Sequence, residues 1–512
     1  MTLLFKKSNA LLACMLSAAL FLFTACEKAV DGPSATSATN LDLQFVVLTK
    51  DLMLQTYNAN NLTTPIKSVQ VSGLVSAATI LGIDFRPSTG QLYAMGVSST
   101  LYTIDLNTGQ ATLIAGFGVI NPSLNDIKIG FDFNPTVDRL RVVTASGQNL
   151  RLNPESGIVQ NVDGTINGPA GAQISGSAYT NNVAGATTTV LYDIDVNARK
   201  LYRQDPPNNG TLAEVGNLTI PTGSTDASFD IGPDGTPLAA ITTSGASSLY
   251  QIDLNTGAST LLGAFSTQII GLAIPTNPVA YAVDEANNLL TFNPTRTDVI
   301  TRAITGLQPG ESVLGIDFRP LNGQLYALGS FSKIYTINTA TGAATGLTVG
   351  QFSPLLMGSS FGFDFNPTVD RIRIVSNMGQ NLRIEPGFGM FTTVDLALNP
   401  GTPSVNAAAY TNNFPGATTT TLYTIDSNTD SLYIQNPPNN GTLVKVGTLG
   451  INVEASNGFD IGGRSGNAYA IFTAGGMTRL YMVNLATGAA TMVAGAPSFS
   501  APIRGFALGT GF

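Results

Sequence analysis

Six aspartates stand at one position of a short recurring segment, and their type and spacing make them the first candidates for chemistry. In LGIDFRP from Leu81, IGFDFNP from Ile129 and SFDIGP from Ser228 they are Asp84, Asp132 and Asp230. In LGIDFRP from Leu314, FGFDFNP from Phe361 and GFDIGG from Gly458 they are Asp317, Asp364 and Asp460. Read as strands, these segments put each Asp on the face opposite its Ile and Phe neighbours. If such strands line a common channel, three carboxylates per half converge there. Converging carboxylates suit Ca2+, which takes oxygen ligands, and they also resemble the acid and base of a glycosidase. The motif has no Glu and the chain no Trp to stack on sugar rings, which weighs against the glycosidase. The simpler, structural reading is that each Asp accepts hydrogen bonds from backbone or from a turn in the neighbouring blade of the fold.

A second cluster comprises Asp138, Arg139, Arg141, Gln148, Asn149 and Arg151, repeated as Asp370, Arg371, Arg373, Gln380, Asn381 and Arg383. Three guanidiniums per copy are many for a chain in which charged residues make up 11%. Their planar donors suit a carboxylate or phosphate. If the Asn134-Pro135 region turns back, Asp132 adjoins Arg141, and an internal Asp/Arg network is the simpler account. The turns TNN at Thr180 and PPNNG at Pro206 are shaped loops, because Asn tolerates left-handed backbone and Pro fixes φ.

Composition excludes several functions. There is no His, which removes Ser-His-Asp triads, imidazole bases and most zinc sites. A formal charge of −8 repels phosphate backbones and argues against nucleic acid as a partner. Lys6 and Lys7 precede an apolar run from Ala10 to Phe23, then Thr24, Ala25 and Cys26. That run is short for a membrane span and reads as a signal peptide. Its end resembles the bacterial lipobox, with Cys26 as the acylated residue, although Phe23 stands where Leu is usual. Glu27 in place of Asp favours the outer membrane. Cys14 lies inside the leader, so no disulfide is expected in the mature chain.

The elements that must position these residues are short strands. The chain runs in β-rich segments of four to seven residues separated by Gly, Pro, Asn, Asp and Thr. IGFDFNPTVDRLRVV at 129–143 returns as FGFDFNPTVDRIRIV at 361–375, so a unit of about 230 residues is written twice. Within each unit the Gly-x-Asp-Phe segments and their weaker versions start roughly 43 to 52 residues apart, the length of a four-stranded propeller blade. The expected fold is all-β, as two tandem five-bladed β-propellers. One ten-bladed ring and a tandem of flattened sandwiches are the alternatives. The boundaries read as a signal peptide over 1–26, a flexible tether over 27–42, a first propeller over 43–276 and a second over 277–512.

FDFNPTVDR from Phe131 and Phe363, GQNLR from Gly147 and Gly379, AYTNN from Ala178 and Ala409, and PPNNGTL from Pro206 and Pro437 resemble the bacterial domain-of-unknown-function family 4394, present as two copies. The resemblance implies a secreted or surface protein and no known activity. The functional expectation is a cell-envelope lipoprotein, held to the membrane by its lipid, that binds or scaffolds through two propellers. Two similar domains suit bivalent attachment to a polysaccharide or protein. The competing expectation is a carboxylate- or Ca2+-dependent hydrolase of glycans or phosphoesters at the channel. No cofactor other than Ca2+ is suggested.

Overall fold

The computed structural model describes residues 41–75, 79–115, 120–347, 350–387, 392–455 and 457–512. The leader, Cys26 and most of the tether lie outside the described residues. Strands form where Leu, Ile, Val, Phe and Tyr alternate, and they end where side chains can serve the backbone of a turn. In LYTIDLNTG, Asp105 accepts hydrogen bonds from the backbone N–H groups of Asn107 (3.0 Å) and Thr108 (2.7 Å). Gly109 then takes the left-handed conformation, φ +75°, that lets the chain reverse.

Among the described residues the strands form ten antiparallel sheets of four strands each, one of them extended by the short strand Ser498–Phe499. Eight follow chain order from the inside outwards, as in Ile80–Phe85, Leu92–Gly96, Thr100–Ile104 and Ala111–Ala115. The other two are closed by strands distant in sequence. Ile269–Ala273 pairs with Gln44–Thr49, and Ile503–Leu508 pairs with Ala280–Asp284. Each half thereby completes its own first sheet, and the strand that opens the half, Gln44–Thr49 or Ala280–Asp284, has both edges paired.

The innermost strands of the first half are Ile80–Phe85, Ile129–Asn134, Gly176–Tyr179, Ser224–Ile231 and Ile269–Ala273; each packs against the next and the last against the first. Val313–Arg319, Phe361–Asn366, Val405–Tyr410, Asn457–Ile461 and Ile503–Leu508 make the same closed circuit in the second half. The hydrophobic core lies between neighbouring sheets. Tyr93 and Leu101 of one sheet pack with Phe131, Phe133 and Val142 of the next. Tyr93 meets Phe133 edge-on with ring centroids 5.0 Å apart, and Tyr326 meets Phe365 likewise at 5.0 Å. Each such Phe contributes about 1.5–3 kcal/mol by leaving water. The Gly of the recurring segment makes this approach possible: a Cβ at Gly458 would lie 2.4 Å from the Phe506 Cβ.

The halves touch through the turn after the Asp84 strand. Tyr281 Oη donates to the Ser88 carbonyl (3.0 Å), and the Gly511 N–H donates to the Thr89 carbonyl (2.8 Å). Arg86 Nη1 donates to the Gly323 carbonyl (3.1 Å), and Thr339 Oγ1 to Asp138 (3.1 Å).

Candidate functional site

An innermost strand has a neighbour on one edge only, so the N–H groups on its axial edge need other partners. The aspartates supply them. In the first half five N–H groups at equivalent positions face this need, those of Phe85, Phe133, Tyr179, Ile231 and Ile274. Asp84 accepts from Phe85 (2.7 Å) and, across to the next strand, from Phe133 (2.8 Å). Asp132 accepts from Tyr179 (3.1 Å). Asp230 accepts from Ile231 (2.6 Å) and Ile274 (2.6 Å). A carboxylate has two acceptor oxygens, so three acids satisfy five donors, and the other two strands carry Ala178 and Ala273 at the Asp position.

The second half repeats the pattern. Asp317 accepts from Phe318 and Phe365 (both 2.7 Å), Asp364 from Tyr410 (3.0 Å), and Asp460 from Ile461 and Leu508 (both 2.6 Å). Ala409 and Ala507 take the remaining positions. In each half one oxygen from each acid lies within 4.8 Å of the others, so the predicted convergence of Asp84, Asp132 and Asp230, and of Asp317, Asp364 and Asp460, is present. All six are enclosed, at 0–1% exposure.

Enclosure sets their acidity. Burial is the main cause that pushes the carboxyl groups of Asp84, Asp132, Asp317 and Asp364 well above the usual range, and the neighbouring acids add to it. Burial also raises Asp230 and Asp460, each up to about 7, against the lowering effect of two backbone N–H bonds. The first half adds a fourth acid that the sequence reading missed. Asp193 is 0% exposed, accepts from Ser177 Oγ (2.6 Å), and is pushed up by burial to about 7. Asp132 Oδ2 and Asp193 Oδ2 are both buried without a hydrogen-bond partner among the described residues. The second half has Thr424 in place of Asp193 and Ala408 in place of Ser177.

The arginines form an internal network, with a different acid from the one expected. Asp132 stands opposite Arg141 in register, but Arg141 pairs with Asp163 (2.6 Å) and also reaches Tyr179, Asn149 and Asn208. Arg151 grips the same Asp163 through two bonds. Arg373 and Arg383 hold Asp395 in the same way. Asn208 and Asn439, which Arg141 and Arg373 reach, belong to the PPNNG turns, so this network docks those turns. Arg139 bonds Gln160 and Arg371 approaches Glu385 (3.6 Å), both near the surface.

Sequence reasoning also missed Arg86. It is 1% exposed and bonds Asp138 twice and Glu155 once. The available signal was that Arg86 and Arg319 occupy the place held by Asn134 and Asn366 in the next copies of the segment. The Arg319–Asp370 pair is the second-half counterpart and is more open to water.

Cavities open among the described residues. One of about 320 Å3 lies between the halves, lined by Phe85, Pro275, Pro278, Arg464 and Phe512 among others. Another, of about 240 Å3, opens where the second-half inner strands begin, and Leu314, Phe361, Asn406, Asn457 and Arg504 line it.

Fold and site define an all-β protein built of four-stranded antiparallel sheets and written twice, with an enclosed acid cluster in each copy. The chain belongs to the family described as Domain of unknown function (DUF4394), whose model matches residues 53–273 and again 288–507. No curated protein matches it. A solved structure to which it is similar is PorZ, described as an essential bacterial surface component of the type-IX secretion system of Porphyromonas gingivalis. The likeness is 12% identity over 90% of this chain and 60% of that chain, with a TM-score of 0.25. The chain thus spans about 60% of that protein's length.

Proposed function

We propose that the chain is a lipid-anchored binding or scaffolding protein of the bacterial cell envelope, built as two five-bladed β-propellers. The observation that carries this reading is the role of the six recurrent aspartates. They are enclosed, and their oxygens accept the axial N–H groups of the inner strands, which is the work of a structural hub. Hubs of this kind hold two rings rigid and leave recognition to the loops and cavities around them. The innermost strands that pack in closed circuits of five, and the late strand that completes the first sheet of each half, support five blades per ring. The sequence up to Cys26 supports acylation there, and Glu27 after it supports a position at the outer membrane or cell surface.

Cell fractionation tests the anchor. The native chain is expected with membranes and Cys26→Ser in the soluble fraction; membrane association unchanged by Cys26→Ser contradicts it. A second reading, Ca2+ at the first-half hub, is favoured by the unpartnered Oδ2 of Asp132, which converges with Asp84 and Asp230. Three carboxylate oxygens within 4.8 Å of one another can share an ion at the usual Ca–O distance of about 2.3–2.6 Å. It predicts saturable Ca2+ binding with a higher melting temperature, lost in Asp132→Asn. No Ca2+-dependent change in melting contradicts it.

A further inference from the structure

We infer that the axial mouth of the second half is a binding site for one sugar-acid unit, a ring carrying a carboxylate and several hydroxyl groups. This rests on the binding-protein reading and names the site and the ligand class. The five innermost strands each present, one residue before the ring position of Gly315 and its equivalents, a side chain at the same end of the circuit. In the second half these are Leu314, Phe361, Asn406, Asn457 and Arg504, and all five line the 240 Å3 cavity.

Three of them hold unmet hydrogen-bonding capacity. Asn406 is 1% and Asn457 3% exposed, yet the Oδ1 of each is buried with no partner among the described residues. Their Nδ2 atoms are engaged, Asn406 with Ser427 Oγ (2.6 Å) and Asn457 with the carbonyls of Glu454 (3.3 Å) and Ala455 (3.4 Å). The carbonyl partners of Asn457 require its NH2 on their side, so its oxygen is left as the free acceptor. Arg504 Nη1 is likewise buried without a partner, and Arg504 forms no ion pair among the described residues. A buried polar group without a partner costs about 1–3 kcal/mol, which a matching ligand relieves.

Glu285, Ser359 and Ser360 also line the cavity, with Glu285 exposed to solvent, and the buried unpartnered groups select the ligand. Two amide oxygens accept only, so they call for hydroxyl donors, and a guanidinium donates in a fork that fits a carboxylate. Phe361 adds an apolar wall against which a sugar ring can lie. The volume falls just below the usual range for small-molecule sites of about 300–1,000 Å3, which suits one ring rather than a chain. The first half has Leu81, Ile129, Ser175, Ala227 and Ile270 at the same positions, one hydroxyl among apolar groups. The two halves have therefore diverged at the mouth while keeping their hubs.

The test is calorimetric titration of the full chain in detergent with galacturonate, trigalacturonate and neutral galactose. Three variants borrow the first-half residues and so suit the same backbone: Asn406→Ser, Asn457→Ala and Arg504→Ile. The expected result is one saturable uronate site per chain, galactose at least about tenfold weaker, and a loss of about 10- to 100-fold in Arg504→Ile, the effect of a charge-assisted bond. Binding of the monomer as well as the trimer identifies a free sugar acid as sufficient; binding of the trimer alone identifies a polysaccharide end, and either supports the site. Uronate bound equally by all three variants overturns the site and leaves a binding protein with its seat elsewhere. Absence of uronate binding overturns the inference, while Cys26→Ser fractionation judges the envelope reading separately.

Discussion

Replacing Arg86 by methionine keeps most of the side-chain volume and removes the charge. Asp138, with 6% of its side chain exposed, and Glu155, with 12%, then lose their cation, and the Gly323 carbonyl loses its donor. Breaking a buried ion pair from one side costs about 3–5 kcal/mol, because the partner charge stays in a poor solvent. The chain contains its own control. Arg319→Met removes the equivalent guanidinium, but there the side chains of Arg319 and Asp370 are 18% and 32% exposed, and such a pair is worth about 1 kcal/mol or less. The account therefore places the two variants about 2–4 kcal/mol apart in unfolding free energy. Urea titration followed by far-ultraviolet circular dichroism reads this difference, and tyrosine fluorescence provides a second probe undisturbed by tryptophan, which the chain lacks. Equal midpoints for the two variants, or a larger loss in Arg319→Met, refute the claim that contact between the halves turns a surface pair into a buried one.

Other expectations follow from the hubs and the arginine network. Asp460 has its folded pKa raised, chiefly by burial, to about 7, so its stabilising protonation is fully present below the unfolded value and is lost as pH rises through about 7. Melting temperature should thus fall between pH 4 and pH 7, with a shallower fall in Asp460→Asn; an unchanged slope contradicts the assignment. Asp163→Ala strands Arg141, whose side chain is 1% exposed, and should cost about 3–5 kcal/mol in denaturant unfolding, whereas a loss under about 1 kcal/mol would show that the pairing is not a buried one. Gly458→Ala brings a methyl group to 2.4 Å from the Phe506 Cβ and should destabilise by about 1–3 kcal/mol or more, a result that thermal melting checks and that a neutral substitution would disprove.

The all-β class and the twofold repeat were legible because they are local facts. Alternating apolar residues, Asn-Thr-Gly turns and a segment repeated nearly verbatim need no knowledge of distant contacts. The convergence of the aspartates was legible too, since one motif position on equivalent strands must meet at one level of the fold. That they accept backbone hydrogen bonds, some from the neighbouring unit, was legible as well; which N–H groups they serve was not, because Phe133 and Ile274 stand 49 and 44 residues from Asp84 and Asp230. The partner of Arg141 was misjudged for a similar reason: register places Asp132 opposite it, but a long guanidinium reaches past its opposite residue to Asp163. Arg86 meets Gly323 across 237 residues of chain, a contact made by the packing of the halves and by no local pattern. Asn406, Asn457 and Arg504 lie one residue outside the repeated segment, where the two halves differ and repetition gives no alert.

The most direct test of the central claim, that the recurrent aspartates are hubs of two closed rings, is a high-resolution crystal structure of the chain. The account predicts five four-stranded sheets around each axis, with Asp84, Asp132, Asp230, Asp317, Asp364 and Asp460 accepting the ten axial backbone N–H groups. A single ring of ten sheets, or aspartates turned into an open solvent channel with those N–H groups unpaired, would contradict it.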